Sequence, residues 1–157
     1  MKSSLLMATA FIVLAFSCNS IKDNQQKKMT TFGLEYTDAW NSQKPEQVAS
    51  FFEEDGMLIV NKGEPIIGRT AITEFTKGFM TAFPNMELKM DSLVKKGDMY
   101  NYHWIFKGTN TGPNGTGNKV VFSGFEQWSL SANGLVKKSI GTFDEEDYNF
   151  QVQGKKL

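Results

Sequence analysis

Residues 100–106 read Tyr-Asn-Tyr-His-Trp-Ile-Phe, and this pattern is the strongest indication of the fold in the sequence. Every second position carries a large aromatic side chain, namely Tyr100, Tyr102, Trp104 and Phe106. Successive side chains of a β-strand point to opposite faces, so this period of two predicts a strand with one strongly aromatic face. We expect that face to be buried against a second layer of the protein.

The same period continues on both sides of this stretch. Before it, Met86, Leu88 and Met90 alternate with charged residues. After it comes a loop with four glycines at 108–118, and later Asn133-Gly134, which is typical of a tight hairpin turn. The second half of the chain therefore predicts about four antiparallel strands, at residues 86–90, 100–106, 120–130 and 135–143.

The first half of the chain has a helical period instead. Apolar residues recur every three or four positions in three segments, which is the spacing of one helix face. Pro45 suits the first turn of the second helix, and Pro84 ends the third. A short apolar strand is expected at 57–60. The apolar faces contain Phe32, Tyr36 and Trp40 in the first helix, Val48, Phe51 and Phe52 in the second, and Ile72, Phe75, Phe79 and Phe83 in the third.

This order of elements predicts an α+β fold, with three N-terminal helices packed in a strongly curved, mostly antiparallel sheet. Gly124 and Gly141 lie inside predicted strands, where they allow the strands to curl around the helices. A curled sheet over helices leaves a conical pocket between the two layers. We expect that pocket to be apolar, with an aromatic floor and a few polar groups from the strands.

Composition excludes several classes of function. The 157 residues include 17 basic and 17 acidic ones, so no overall charge attracts nucleic acid or an anionic surface. One His and one Cys exclude a Cys/His zinc site, an iron–sulfur cluster and an internal disulfide. We therefore expect no nucleic-acid partner and assign no metal ligands.

The N-terminus has the features of an export signal. Lys2 precedes an uncharged run from Leu5 to Phe16, which is too short to span a bilayer as a helix. Ser17 places a small residue directly before Cys18, the single cysteine of the chain, and this resembles the lipobox of bacterial lipoproteins. Lipidation of Cys18 is the first interpretation, and an ordinary signal peptide with an incidental cysteine is the alternative.

The lipoprotein interpretation divides the chain into three parts. Residues 1–17 are the signal peptide, 18–29 are a polar, flexible tether, and 30–157 are the folded domain. The protein is then exported to the bacterial cell envelope, on the periplasmic or surface side, and held to a membrane by the lipid on Cys18.

Several short strings, in their order and spacing, resemble the SnoaL-like polyketide cyclases, a branch of the nuclear transport factor 2-like superfamily. The resemblance covers about residues 31–154. The strings are Phe-Phe-Glu-Glu-Asp-Gly at 51–56, Ile-Gly-Arg-Thr-Ala-Ile at 67–72, Phe-Pro-Asn-Met at 83–86, Lys-Gly-Thr-Asn-Thr-Gly-Pro at 107–113 and Asn-Gly-Leu-Val at 133–136. The resemblance implies a cone-shaped fold, dimers formed through the open sheet face, and a pocket for small apolar molecules that needs no cofactor.

The resemblance also implies positions for acid–base residues. Cyclases of this family close a ring by aldol condensation, with an Asp on the last strand and commonly a His on the strand before it. Asp144 matches the Asp, whereas the position of the His is occupied by Glu126.

The residues themselves leave the roles of these two carboxylates open. Asp144 shares its parity with Val136 and Ile140, which predicts a pocket-facing side chain, but it also opens the acidic run 144–147, which is typical of a solvated strand end. Glu126 shares an apolar face with Trp128, where burial would demand a partner or protonation. Either carboxylate, or both as a pair, could abstract a proton next to a carbonyl group.

Five aromatic residues are candidates for the substrate-binding wall, although sequence alone does not separate wall from core. They are Phe79, Trp104, Phe106, Phe125 and Trp128. The single histidine, His103, is expected on the opposite face of its strand, at the surface or in a dimer contact.

These observations predict a lipid-anchored, homodimeric protein that binds a small apolar molecule. Cofactor-free acid–base chemistry of the cyclase, isomerase or hydrolase type on a carbonyl compound is the first interpretation. The alternative is a ligand-binding or scaffold module of the same fold without catalysis.

Overall fold

The aromatic strand lies next to one edge of a six-stranded sheet in a computed structural model that describes residues 24–155. The helices of the described residues are α1 (24–41), α2 (Pro45–Ala49), α3 (Arg69–Ala82) and α4 (Glu145–Val152). The strands are β1 (Phe52–Val60), β2 (Ile66–Ile67), β3 (Glu87–Lys96), β4 (Met99–Thr109), β5 (Lys119–Leu130) and β6 (Val136–Phe143). None of these helices is both long and apolar enough to cross a bilayer.

The strand order across the curved sheet is β2-β1-β6-β5-β4-β3. β3, β4, β5 and β6 form an antiparallel meander, and β1 then joins β6 in parallel. The predicted α+β class and mostly antiparallel sheet are confirmed. The parallel pair joins strands that are distant in the chain: β6, the last strand of the meander, lies beside β1 and runs in the same direction.

The core lies where α1 and α3 pack on the aromatic face of the sheet. Tyr36 of α1 is fully buried, and its ring contacts the rings of Tyr102 and Trp128 at centroid distances of 5.5 and 5.1 Å. Phe79 of α3 packs on Phe106 of β4 at 5.2 Å. The aromatic residues that alternate in β4 thus pack against those on the apolar faces of α1 and α3 in one core.

Two elements differ from the sequence prediction. The prediction that Phe51 and Phe52 extend the second helix is wrong, because α2 ends at Ala49 and β1 begins at Phe52. Spacing at 48, 51 and 52 suits a helix, but Phe52 is fully buried and pairs with Val136 of β6 instead. Packing with a distant strand has overridden the local pattern.

The second difference is the helix α4, which was not predicted. The Asp144 side chain caps it by accepting a hydrogen bond from the Asp147 backbone N–H at 2.9 Å. The following acidic residues lie in its first turn, where the helix dipole favours negative charge. The acidic run 144–147 is therefore a helix start.

α4 covers the part of β5 that extends beyond β6. The Gln151 side chain hydrogen-bonds the backbone N–H and carbonyl of Val121 at 2.7 and 2.9 Å, as a neighbouring strand would. Tyr148 places its ring against Phe122 and Phe143 at 5.2 and 5.6 Å. α4 thereby closes one end of the aromatic layer.

The N-terminal parts of the chain lie largely outside the described residues. The signal peptide at 1–17 and the lipidation site Cys18 belong to that portion. Of the tether expected at 18–29, the structure describes residues 24–29, and these belong to the helix α1.

Candidate functional site

The helices and the inner face of the sheet enclose an apolar cavity of about 80 Å³ that is partly open to solvent. Among the residues that the structure describes, Glu126 is the one ionisable residue in its wall. Most of the rest of the wall is aromatic and consists of Trp40, Phe75, Phe79, Trp104, Phe106, Phe122 and Phe143. Leu58, Val60, Met86, Leu88 and Gly141 complete it.

The volume limits what the cavity holds. A dry apolar cavity of about 150 Å³ in another protein binds benzene. At about 80 Å³, the present cavity accommodates a molecule smaller than benzene. A larger ligand fits only if side chains of the wall move or if part of the ligand extends through the open side.

The two oxygens of the Glu126 carboxyl group have different surroundings. Oε2 accepts hydrogen bonds from the Ser139 hydroxyl at 2.7 Å, the Trp128 indole N–H at 2.9 Å and the Tyr36 hydroxyl at 3.1 Å. Oε1 has only a longer contact of 3.3 Å with the same Tyr36 hydroxyl among the described residues. Glu126 is 7% exposed and lines the cavity, and Oε1 is the oxygen with the greater capacity to accept a further hydrogen bond.

Strand register explains how these groups meet. Glu126 and Trp128 are two residues apart on β5 and therefore project from the same face. Trp128 pairs with Ser139 of β6, and Glu126 pairs with Gly141, which has no side chain to cover the carboxyl group. Tyr36 approaches from α1 on the opposite side of the core.

Burial dominates the electrostatics of this cluster. It raises the pKa of Glu126 above its ordinary value, while hydrogen bonds from Trp128, Ser139 and Tyr36 oppose that rise without cancelling it. The pKa of Tyr36 is raised well above its ordinary value by burial and by the neighbouring charge of Glu126. Tyr36 thus remains a hydrogen-bond donor, and Glu126 exchanges its proton at a higher pH than an exposed glutamate does.

Asp144 lies apart from this cluster. Its side chain is exposed, caps α4, and lines a separate surface depression with His103 and Phe125. The structure therefore does not bring Asp144 and Glu126 together in one cavity. Catalysis by Asp144 stays a prediction, and the placement of its side chain does not support it.

A β-bulge explains why the parity argument for Asp144 does not hold. Val136 pairs with Leu130 and Lys138 with Ser129, so Lys137 is an extra residue in β6. Beyond it the inward positions are Ser139 and Gly141, both buried. A slip of one residue reverses every later side chain, and Asp144 falls on the side away from Val136.

The five aromatic candidates occupy three different environments. Phe79, Trp104 and Phe106 line the cavity. Trp128 lies beneath the wall, fully buried, where it stacks on Tyr102 at 4.7 Å and donates to Glu126. Phe125 lies on the outer sheet face beside His103, at a ring distance of 5.5 Å, because odd-numbered residues of β5 point outward.

Two members of the cluster were missed at the level of sequence. The helical spacing places Tyr36 in an apolar helix face, although its hydroxyl needs a partner once it is buried. Ser139 gave no usable signal, because the bulge at Lys137 hides its inward orientation. Within residues 24–155 there is also no group of three or more His, Cys, Asp or Glu side chains arranged to bind a metal ion.

The sequence of the described domain matches a known protein family. Residues 31–151 match the family model of the SnoaL-like polyketide cyclases. No curated protein matches the chain in sequence.

Solved structures with low sequence identity have the same fold. A putative SnoaL-like polyketide cyclase from Jannaschia sp. CCS1 has a TM-score of 0.64 and 16% identity, over 79% of this chain and 85% of that chain. A phenazine biosynthesis-related protein from Pseudomonas aeruginosa has a TM-score of 0.69 and 13% identity, over 88% and 92%. A hypothetical protein with a ketosteroid isomerase-like fold from Catenulispora acidiphila DSM 44928, in complex with trimethylamine, has a TM-score of 0.67 and 14% identity, over 78% and 92%.

Proposed function

The chain belongs to the SnoaL-like polyketide cyclase family, and from this premise we propose that it catalyses cofactor-free proton transfer on a small, largely apolar carbonyl compound. The compound binds in the aromatic cavity, and Glu126 is the acid–base group. This is chemistry of the cyclase or isomerase type.

One observation carries the proposal: a single carboxyl group, Glu126, stands in an otherwise apolar wall with one oxygen free of strong hydrogen bonds. A buried base in an apolar wall has less contact with water than an exposed one, and its raised pKa makes it a stronger base than an exposed glutamate. The apolar wall favours an uncharged ligand, since an anion would be desolvated next to a carboxylate.

The proposed step begins with ionised Glu126. Its Oε1 takes a proton from the carbon next to the carbonyl group, and the electrons of that C–H bond form the enolate. In an isomerisation, Glu126 returns the proton to a different carbon. In an aldol cyclisation, the enolate carbon attacks a second carbonyl group of the same molecule, and Glu126 protonates the resulting alkoxide.

Acetone provides a direct test of this function. It has four heavy atoms and is smaller than benzene, so its size suits this cavity. Incubation of the protein with acetone in D₂O should replace the methyl protons by deuterium faster than buffer does, which proton NMR measures. The same spectra report binding without exchange.

A second candidate function is ligand binding without catalysis. The observation that favours it is the set of three donors on Oε2, which satisfies a buried carboxyl group and anchors α1 to the sheet. In that case acetone binds to the cavity, but its deuterium content does not change. The exchange measurement therefore separates the two functions.

We propose in addition that the protein is exported and anchored to the bacterial cell envelope by a lipid on Cys18. Support comes from the uncharged run ending at Phe16 and the small residue Ser17 before the single cysteine. Cys18→Ala should move the protein from the membrane fraction to the soluble fraction and abolish incorporation of labelled fatty acid. Ser17→Ala is the control, since it keeps a small residue at the same place; wild-type protein that is exported but takes up no label would contradict the proposal.

A homodimer formed through the outer face of the sheet is the proposed assembly. Val121 of β5 is 52% exposed on that face, beside Phe125 and Ile105. Val121→Glu should convert a dimer to a monomer in sedimentation velocity, because a charge buried in an interface is costly. Leu34→Glu is the control, since Leu34 is 49% exposed on α1 and not on the sheet. Sedimentation of the wild-type protein as a monomer at micromolar concentration would contradict the dimer.

A further inference from the structure

Trp128 and Ser139 both place hydrogen-bond donors on the same oxygen of Glu126, Oε2. An indole N–H is a donor and has no lone pair to accept a hydrogen bond. Its contact of 2.9 Å with Oε2 therefore requires that Oε2 be an acceptor, whether Glu126 is ionised or protonated. The hydroxyl oxygen of a protonated carboxyl group is a weaker acceptor than its carbonyl oxygen, so these contacts favour Oε1 as the oxygen that carries the proton.

Ser139 strengthens this assignment. Its hydroxyl lies 2.7 Å from the same Oε2, the shortest contact of the carboxyl group, and it is fully buried. The strand register holds both donors in place, because Trp128 and Ser139 are paired residues of β5 and β6. Rotation of the carboxyl group by a quarter turn would break both hydrogen bonds at once.

We propose that Trp128 and Ser139 are positioning residues that hold Oε2 of Glu126 as a permanent acceptor and so favour proton exchange at Oε1, the oxygen with the greater capacity to accept a further hydrogen bond. This inference rests on the proposed function of Glu126 and specifies the atom that acts. Neither positioning residue touches the ligand; each acts through the orientation of the carboxyl group.

The neighbouring titratable groups do not obscure the titration of Glu126. Tyr36 of α1 and Tyr102 of β4 face the cluster, and burial raises the pKa of both, so they stay protonated around neutral pH. The charge of Asp38 contributes to the raised pKa of Tyr102, but Asp38 is not among the groups that shift the pKa of Glu126. A titration between acidic and neutral pH in this cluster therefore belongs to Glu126.

The infrared carbonyl stretch of protonated Glu126 tests the assignment without any ligand. If the proton is on Oε1, the carbonyl oxygen is Oε2, and loss of the Ser139 donor in Ser139→Ala should move the band to higher frequency. The band is identified by its absence in Glu126→Gln. Thr76→Val is the control, because it removes a fully buried hydroxyl of α3 that donates to the Ile72 carbonyl and not to Glu126.

A second readout is the titration of the Glu126 carboxyl carbon by ¹³C NMR. Ser139→Ala removes a donor to the anion and should raise the titration midpoint by about one pH unit, whereas Thr76→Val should not move it. Ser139→Cys, with a weaker donor, should give an intermediate shift and serves if the alanine variant does not fold.

An unchanged band and midpoint in folded Ser139→Ala or Ser139→Cys would overturn the positioning role. The proposed function can fail separately, because acetone could remain unexchanged while the band and the midpoint still move. Conversely, exchange that persists with an unmoved band would leave Glu126 as the base and exclude Ser139 as its positioning residue.

Discussion

Glu126→Gln is expected to lose proton exchange on acetone by a factor of about 10² to 10⁴, which is the usual contribution of general acid–base catalysis. Glutamine has the shape of glutamate but no basic oxygen. Its amide oxygen can still accept from Trp128 and Ser139 at the place of Oε2. The near-ultraviolet circular dichroism should therefore remain that of the wild type, and the comparison of exchange rates by NMR reports the lost base.

Asp144→Asn is the matched control for this experiment. Asparagine caps a helix about as well as aspartate does, so the hydrogen bond to the Asp147 backbone and the stability of α4 should be kept. Because Asp144 does not line the cavity, exchange should proceed at the wild-type rate. Loss of exchange in Asp144→Asn, with retention in Glu126→Gln, would transfer the role to Asp144 and contradict the proposed function.

Gly124→Ala should destabilise the protein by about 1 to 3 kcal/mol, the usual cost of an overpacked core. A Cβ at this position would lie 2.5 Å from the Thr142 carbonyl oxygen and 2.5 Å from Cζ2 of Trp104. The Thr142 carbonyl oxygen cannot move away without disturbing the pairing of β5 with β6. The Trp104 indole can move away only by leaving its position in the cavity wall. Chemical denaturation measures the loss of stability.

Gly141→Ala provides the matched comparison on the neighbouring strand. There a Cβ would lie 3.6 Å from Cγ of Glu126 and 3.7 Å from the Ile59 carbonyl oxygen, which are ordinary contacts. The protein should be as stable as the wild type or gain up to about 1 kcal/mol, because alanine restricts the unfolded chain. The added methyl group narrows the cavity beside Glu126, so acetone should bind more weakly. Equal stability of the two variants would contradict the tight packing of Trp104 over Gly124.

Periodicity predicts the parts of this fold that are regular. The alternation at residues 100–106 identifies β4 and its buried face, and the spacing of Phe75, Phe79 and Phe83 identifies α3. It does not predict where α2 ends, because the same spacing of Phe51 and Phe52 suits a helix and the start of β1. The start of α4 has a recognisable signal in the capping residue Asp144, but neither the pocket-facing position nor the solvated strand end expected for Asp144 includes a helix.

The candidate site was predictable only in part. The parity of Glu126 with Trp128 correctly indicates their common face, because β5 is regular at that point. The parity of Asp144 with Val136 fails, since Lys137 inserts one residue into β6 and no residue type announces such a bulge. The hydroxyls of Tyr36 and Ser139 converge on Glu126 from elements 90 and 13 residues away in sequence, a juxtaposition that only the packed fold creates.

The most direct test of Glu126 as the proton-exchanging group compares two midpoints in one wild-type sample. The first is the pH at which the Glu126 carboxyl carbon is half titrated, and the second is the pH at which acetone exchange reaches half its maximal rate. We predict that the two coincide and that the rate rises with pH, because only ionised Glu126 can take a proton from carbon. A rate that is constant across the titration of Glu126, or that rises around a different pH, would contradict the role of Glu126 as the base.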